Sequence, residues 1–129
     1  MLSRTLFFIG FVIFTSTIYG QYDYAETKKH PFGKYNPKAP KQLKDYENLI
    51  GISECISTSR KADQTWAAPV RMSWKWKYIM NGHGIQDETL KSDGTHSGSI
   101  RQYNASKNQW NVHYYTSRAT VATLPVWNG

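Results

Sequence analysis

Apolar and polar residues alternate along the second half of the chain, from Val70 to Ser117, and short turn-like segments interrupt the alternation. The clearest run covers residues 70–80. One face of this run carries the side chains of Val70, Met72, Trp74, Trp76, Tyr78 and Met80. A period of two residues is typical of a β-strand, because successive side chains of a strand point to opposite faces. Asn81-Gly82 follows at once and predicts a hairpin turn, since both residues tolerate positive φ angles.

Similar alternation elsewhere predicts the remaining elements. Further strands are predicted at residues 50–58, 83–90, 97–103, 109–117 and 119–124. Pro125 is expected to end the last of them. Residues 43–49 predict one short helical turn, apolar on one side at Leu43, Tyr46 and Leu49. The pattern therefore predicts an all-β fold, an antiparallel meander that either closes into a barrel or forms the incomplete first part of one.

The number of strands bears on whether this barrel is complete. Residues 45–129 hold the six predicted strands, whereas a closed up-and-down barrel uses about eight. The sequence ends at Asn128-Gly129, another hairpin signal with no strand after it. We therefore expect residues 45–129 to form a barrel domain that is truncated at its C-terminal end.

The first 20 residues have the three parts of a secretory signal peptide. Arg4 supplies a positive charge, residues 5–14 form a short apolar run, and the next residues are small or polar, with cleavage expected after Gly20. The apolar run is shorter than the roughly 20 residues of a membrane-spanning helix. The mature chain is therefore expected to have no membrane span and to be secreted or periplasmic.

A basic leader is expected over residues 21–44, with three prolines and neither helical nor strand periodicity. Such a segment is expected to be extended, and either to lie along the barrel or to remain mobile. Its lysines account for much of the formal net charge of +7, namely Lys28, Lys29, Lys34, Lys38, Lys41 and Lys44. An excess of basic over acidic residues favours anionic partners.

Nucleic acid is not expected among these partners. Proteins that bind single-stranded nucleic acid combine basic and aromatic side chains on one surface. Here Lys75 and Lys77 alternate with Trp74 and Trp76, so the two kinds of side chain lie on opposite faces of the strand.

The cysteine and histidine content offers little support for a metal or a cofactor. Cys55 is the single cysteine, so no intramolecular disulfide can form, and it is interpreted as a small packing residue in a strand. The four histidines show neither the i, i+4 spacing nor the Cys/His clustering of a zinc site. No metal site and no cofactor are predicted, and no catalytic motif stands out.

Asp87 and Glu88 are adjacent on a predicted strand, so only one of them can face inward. An inward carboxylate needs a partner, and Arg101 on the following strand is a candidate. Two interpretations stay open: a structural ion pair, or a polar anchor that orients a ligand among apolar walls. The predicted ligand-binding residues are Met72, Trp74, Trp76, Tyr78, Met80, Asp87 and Arg101. Ordinary sheet core is the alternative for the aromatic members, since small barrels are often filled by their own side chains.

Several segments together resemble a known family. They are NPKAPKQLKDYENLIGISECIS, WKWKYIMNGHGIQDE, GSIRQYN and QWNVHYY. They resemble a group of secreted bacterial lipocalin-like domains of the calycin superfamily, whose activity is not settled. The resemblance covers residues 37–129 and implies a lipocalin-like barrel with further strands after Gly129, but it says little about chemistry. Ser53 departs from the usual Gly-x-Trp start of calycin barrels, and no haem ligand is carried over from distant relatives.

The sequence therefore predicts a secreted, non-enzymatic protein that binds a small hydrophobic or amphipathic molecule. Two alternatives remain. One is a barrel enzyme that acts on an apolar substrate by acid-base chemistry, with His113 or Tyr78 as the acting group. The other is an interaction module whose basic leader docks on an anionic surface.

Overall fold

A single antiparallel sheet dominates the computed structural model, which describes residues 22–118 and 125–129. Its strands are β1 (Gly51–Ser57), β2 (Val70–Ile79), β3 (Gly84–Lys91), β4 (His96–Asn104), β5 (Gln109–Thr116) and β6 (Val126–Asn128). Each strand pairs with the next one along the chain, in the order β1-β2-β3-β4-β5-β6. The predicted antiparallel meander is confirmed. Within the described ranges β1 and β6 are the two edges, so the sheet is not closed into a barrel.

Five of the predicted strands match β1 to β5 closely. The sixth, predicted over residues 119–124, lies outside the described residues. The strand observed near the C-terminus is β6, which begins directly after Pro125. The carbonyl of Pro125 accepts a hydrogen bond from the backbone N–H of Tyr114, and Val112 pairs with Trp127. Proline is tolerated at the start of an edge strand because its missing N–H is not needed there. The prediction that Pro125 ends a strand over residues 119–124 falls outside the described residues.

The turn between β2 and β3 is longer than the Asn-Gly signal predicts. The strand ends at Ile79, and Met80, Asn81 and Gly82 all have positive φ angles, of 51°, 52° and 82°. Met80 therefore belongs to the turn and not to the aromatic face of β2, and its placement on that face is wrong. Its methyl group lies over Gly84 on the opposite face of the sheet.

One face of the sheet, here named the aromatic face, carries the core. Register places Tyr78 beside Ile85 and Trp76 beside Asp87 on this face. A 3₁₀ helix over Lys41–Leu49 packs against it, with Leu43 and Ile85 completely buried. Because a 3₁₀ helix has three residues per turn, apolar residues at a spacing of three form one line along it.

The predicted line of Leu43, Tyr46 and Leu49 is confirmed in part. Leu43 is buried and Tyr46 stacks on Trp76 with ring centroids 5.4 Å apart, whereas Leu49 is 41% exposed. The helix begins at Lys41, so the predicted boundary between leader and domain at residue 44 falls inside it.

The described part of the leader lies against the β2–β3 turn. Asn36 donates from its backbone N–H to the carbonyl of Gly82 (3.3 Å) and from its side-chain amide to the carbonyl of Asn81 (3.1 Å). The side-chain oxygen of Asn81 accepts a hydrogen bond from the backbone N–H of Tyr24 at 2.9 Å. The described part of the leader thus reaches the end of the sheet through specific hydrogen bonds.

The opposite face is polar along its centre. Lys75 forms an ion pair with Glu88 at 3.0 Å, and Lys77 forms one with Glu26 of the leader at 2.8 Å. Both lysines lie on the face opposite the strand's tryptophans, as the alternation predicts. None of the helical segments in the described ranges has the length and apolar character of a membrane span.

Candidate functional site: a buried arginine and an aromatic shelf

Asp87 lies at the centre of the aromatic face. Register places it between Trp76 of β2 and Ser99 of β4, and its side chain is 8% exposed. One carboxylate oxygen accepts a hydrogen bond from the indole N–H of Trp74 at 3.0 Å, and the other accepts one from the hydroxyl of Ser99. The carboxylate is therefore satisfied by two neutral donors, as a buried charge requires.

Arg101 occupies the next inward position of β4. Its side chain is 17% exposed, and its Nη2 lies 3.6 Å from Oδ1 of Asp87. The carbon centre of the guanidinium lies 4.4 Å from the ring centroid of Trp76 and 5.0 Å from that of Tyr46. Cation–π contacts of this kind hold an arginine in place and gain strength where water is excluded. The guanidinium therefore lies beside the stacked rings of Tyr46 and Trp76, next to an acid that is already hydrogen-bonded.

Two other polar groups of this face are buried and have no hydrogen-bond partner among the described residues: the indole N–H of Trp76 and the hydroxyl of Tyr78. Trp76 is 2% exposed and Tyr78 is 5% exposed. Burial raises the pKa of Tyr78 to about 12, and the nearby Glu47 carboxylate acts in the same direction. The phenol is therefore held in its neutral form, in which it donates a hydrogen bond.

An aromatic shelf continues the same face toward β6. We give this name to Val112, Tyr114 and Trp127. Val112 is the direct cross-strand neighbour of Arg101 on one side and of Trp127 on the other. The rings of Tyr114 and Trp127 stack with centroids 5.1 Å apart, and Trp127 remains 55% exposed. The shelf thus offers an exposed ring, Trp127, on a half-buried apolar surface beside the half-buried arginine.

Most of the residues predicted to bind a ligand share this face. The structure brings Trp74, Trp76, Asp87 and Arg101 into one group, with Tyr78 next along β2 on the same side. Of Asp87 and Glu88, Asp87 is the one on the aromatic face, and Arg101 lies 3.6 Å from it. The choice between a structural ion pair and a ligand anchor remains a prediction.

Two predicted positions lie apart from the group. Met72 is on the aromatic face but pairs with Cys55 of the edge strand β1, away from Arg101. Met80 is on the other side of the sheet, where its sulfur lies 3.8 Å from the side-chain amide of Gln102. Cys55 is half-buried, which fits a packing residue only in part.

Sequence reasoning missed three members of the site. Tyr46 lies on the helix, and no strand pattern indicates which ring the helix will cover. Ser99 is one of many serines, and only register shows that it faces Asp87. Trp127 follows Pro125, and the last predicted strand stops at residue 124. The strand alternation itself, which assigns Val112 and Tyr114 to one face, was the available signal for the shelf.

The groups considered for metal binding and catalysis do not converge. Among the described residues, no three His, Cys, Asp or Glu side chains lie close enough together to hold a metal ion. His113 pairs with Ile100 on the opposite face of the sheet from Tyr78, so these two residues do not form one acid-base site. A shallow depression that Lys75, Lys77 and Glu88 line also lies on that opposite face, over an ion pair that is already formed.

Comparison with known proteins adds no family to this description. No protein-family model matches the chain, and neither a curated protein nor a solved structure gives a match.

Proposed function

We propose that this chain is a non-enzymatic binding protein for a small hydrophobic or amphipathic molecule, which it holds on the aromatic shelf. The observation that carries the proposal is the exposure of the Trp127 ring, which stacks on half-buried Tyr114 close to the pair of Asp87 and Arg101. The 3₁₀ helix covers the half of the face that contains Trp76 and Ile85. Among the described residues no third ring stacks on Tyr114 or Trp127.

The energetics favour an apolar partner. Removing apolar surface from water contributes about 25 cal/mol per Å². A flat molecule that covers two stacked rings and Val112 would remove surface from water on the ligand and on the protein at once. Aromatic side chains also lose little conformational entropy when they are covered, because only two torsions are fixed. These properties favour a small apolar ligand over a purely polar one.

The position of Arg101 favours a ligand with a polar end. Binding sites for small molecules are typically apolar with a few polar groups that fix orientation. Val112 lies beside Arg101 on the neighbouring strand, so a ligand on the shelf reaches the guanidinium without crossing the helix. An amphipathic molecule uses both parts of this surface.

The wider setting is part of the same proposal. The six-stranded antiparallel meander supports a lipocalin-like arrangement, and the composition of residues 1–20 supports export from the bacterial cytoplasm. A carrier or sensor of apolar molecules outside the cytoplasm fits both. The sequence resemblance to lipocalin-like domains points in the same direction.

Binding of a neutral apolar dye, N-phenyl-1-naphthylamine, tests the proposal. The wild-type chain is expected to bind the dye in a saturable manner, with increased dye fluorescence. Trp127→Ala is expected to weaken the affinity at least about fivefold, because loss of a central aromatic anchor costs more than about 1 kcal/mol. Trp66→Ala is the matched control, since Trp66 is 63% exposed and lies outside the sheet in the loop after β1.

The control distinguishes a specific site from nonspecific binding of the dye to exposed tryptophans. If Trp127→Ala and Trp66→Ala bind the dye as well as the wild type does, the shelf is not the binding surface. Absence of saturable binding to the wild type would overturn the proposed function itself.

A further inference from the structure

We propose that one end of the sheet docks on an anionic lipid surface. This goes beyond the proposed function and does not involve the aromatic shelf. The docking end, here named the loop end, consists of the loop between β1 and β2 (residues 58–69), the turn between β3 and β4 (residues 92–95) and the strand residues next to them. The described part of the leader bonds to the turn between β2 and β3, which lies at the opposite end of the sheet.

The loop between β1 and β2 is an ordered hairpin that holds a tryptophan in water. Arg60 and Trp66 pair across it as an antiparallel bridge. Its tip is fixed by the Asp63 carboxylate, which accepts hydrogen bonds from the backbone N–H of Thr65 at 3.0 Å and from the hydroxyl of Thr65 at 2.6 Å. The Trp66 ring nevertheless remains exposed, with the Arg60 guanidinium 5.7 Å from its centroid. Tryptophan is enriched where membrane meets water, because its ring is apolar and its N–H is polar.

Two aliphatic side chains add to the exposed apolar surface of the loop end. Ile56 near the end of β1 and Leu90 near the end of β3 are both exposed. Register places them on one face of the sheet, because Ile56 pairs with Arg71 while Leu90 pairs with Ser73, two residues further along β2. Apolar side chains that enter the boundary between head groups and acyl chains leave water, which stabilises the bound state.

The loop end also carries an excess of positive charge. Its cations with no carboxylate oxygen within 4 Å, among the described residues, are Arg60, Lys61, Arg71 and Lys91. The carboxylates here without a cation within that distance are Glu54 and Asp63, whereas Asp93 forms an ion pair with Arg118 at 3.4 Å. Four cations therefore stand against two carboxylates. Basic residues at a membrane surface are attracted to anionic head groups.

The combination of charge and apolar surface favours a lipid bilayer over a nucleic acid. Arginine binds the phosphates of either partner through two parallel hydrogen bonds. The bases of a nucleic acid can stack on Trp66, but they offer no apolar layer in which Ile56 and Leu90 lose contact with water. A bilayer offers phosphates above hydrocarbon, within the roughly 5–10 Å to which an interfacial segment penetrates.

Co-sedimentation with vesicles tests the proposal. The protein is the mature chain expected to begin at Gln21, since a signal peptide would itself bind lipid. Vesicles of phosphatidylcholine alone are compared with vesicles that also contain phosphatidylglycerol. The wild type is expected to bind the anionic vesicles at least about tenfold more tightly than the neutral ones, and less tightly as the salt concentration rises.

Variants of the loop end locate the contact. Trp66→Ala is expected to weaken binding to anionic vesicles at least about fivefold, because it removes the apolar area of the ring. Replacing Arg60 and Lys61 together by glutamine is expected to weaken this binding about tenfold or more. The matched controls are Trp127→Ala, an exposed tryptophan on the other edge strand, and joint replacement of the exposed leader residues Lys28 and Lys29 by glutamine. Both controls are expected to bind as tightly as the wild type does.

The outcomes separate this proposal from the proposed function. Equal binding of the wild type to both kinds of vesicle, or no binding, would overturn the anionic lipid surface and leave the aromatic shelf untouched. A larger loss in Trp127→Ala than in Trp66→Ala would assign lipid uptake to the shelf, and a larger loss in the Lys28 and Lys29 variant would assign docking to the leader. Either result overturns the role of the loop end.

Two further results bear on the proposal. Tighter binding of a single-stranded oligonucleotide than of the anionic vesicles would overturn the choice of lipid. If Trp66→Ala does not fold, as judged by circular dichroism, the Arg60 and Lys61 variant decides the matter. Undiminished vesicle binding in that variant overturns the proposal.

Discussion

The leader lies very close to Gly82 in the β2–β3 turn, and replacement of this glycine by alanine tests the described packing directly. Gly82 has a φ of +82°, and a Cβ atom there would overlap the carbonyl oxygen of Lys34 and lie 2.7 Å from the backbone nitrogen of Asn36. Gly94 has a φ of +78° but nothing within 4 Å of its ideal Cβ. Gly94→Ala therefore has the same backbone cost without the clash.

The expected loss of folding stability can be worked out for each of the two variants. An L-residue in the left-handed region costs about 1–2 kcal/mol, which both variants share. In Gly82→Ala the leader must also move away. This breaks the two hydrogen bonds that Asn36 donates to the carbonyls of Gly82 and Asn81, and it disturbs the hydrogen bond from Tyr24 to Asn81. At about 0.5–1.5 kcal/mol for each hydrogen bond, this adds about 2–4 kcal/mol. We expect a total loss of about 3–6 kcal/mol for Gly82→Ala and about 1–2 kcal/mol for Gly94→Ala.

Urea unfolding followed by tryptophan fluorescence measures the two losses, and limited trypsin digestion reports on the leader. Gly82→Ala is expected to speed cleavage after Lys28, Lys29 and Lys34, because the leader is released from the turn. Gly94→Ala is expected to leave that cleavage unchanged. Equal losses of stability in the two variants, with equal cleavage, would refute the close approach of the leader to Gly82.

Two further predictions concern buried polar groups of the aromatic face. Because the pKa of Tyr78 is raised to about 12 from an ordinary value near 10, the unfolded state loses this proton first, so stability should fall as pH rises from about 10 to about 12. Tyr78→Phe should remove that part of the fall and be at least as stable at pH 7, since it deletes an unpartnered hydroxyl; identical pH profiles in urea unfolding would contradict this. Asp87→Asn should lower the free energy of unfolding by about 2–4 kcal/mol, because it weakens the hydrogen bonds from Trp74 and Ser99 and leaves Arg101 without a counter-charge. A loss below about 1 kcal/mol in urea unfolding would contradict the described contacts.

Strand alternation predicted the sheet well because it is a local property and repeats over many residues in each strand. The boundaries of β1 to β5 agree with the sequence to within a residue or so, and the side of the sheet is right for Trp74, Trp76 and Asp87. Met80 shows the limit of the method. The alternation continues through it in the sequence, but the left-handed turn begins one residue before Asn81, and the side chain passes to the other face.

The candidate site was predictable only in part, because its geometry depends on contacts between distant segments. The partnership of Asp87 with Arg101 follows from alternation on neighbouring strands. That Tyr46 stacks against Arg101 and Trp76 depends on where the helix docks, and local pattern does not determine docking. Trp127 was missed because no strand was predicted after Pro125, where the pattern is only three residues long.

The most direct test of the account is a two-dimensional ¹H–¹⁵N spectrum of the five tryptophan indole groups during titration with N-phenyl-1-naphthylamine. The account predicts a saturable shift of the Trp127 resonance and no change at Trp66. A spectrum in which Trp127 does not move, or in which Trp66 moves as much as Trp127, would contradict binding on the aromatic shelf.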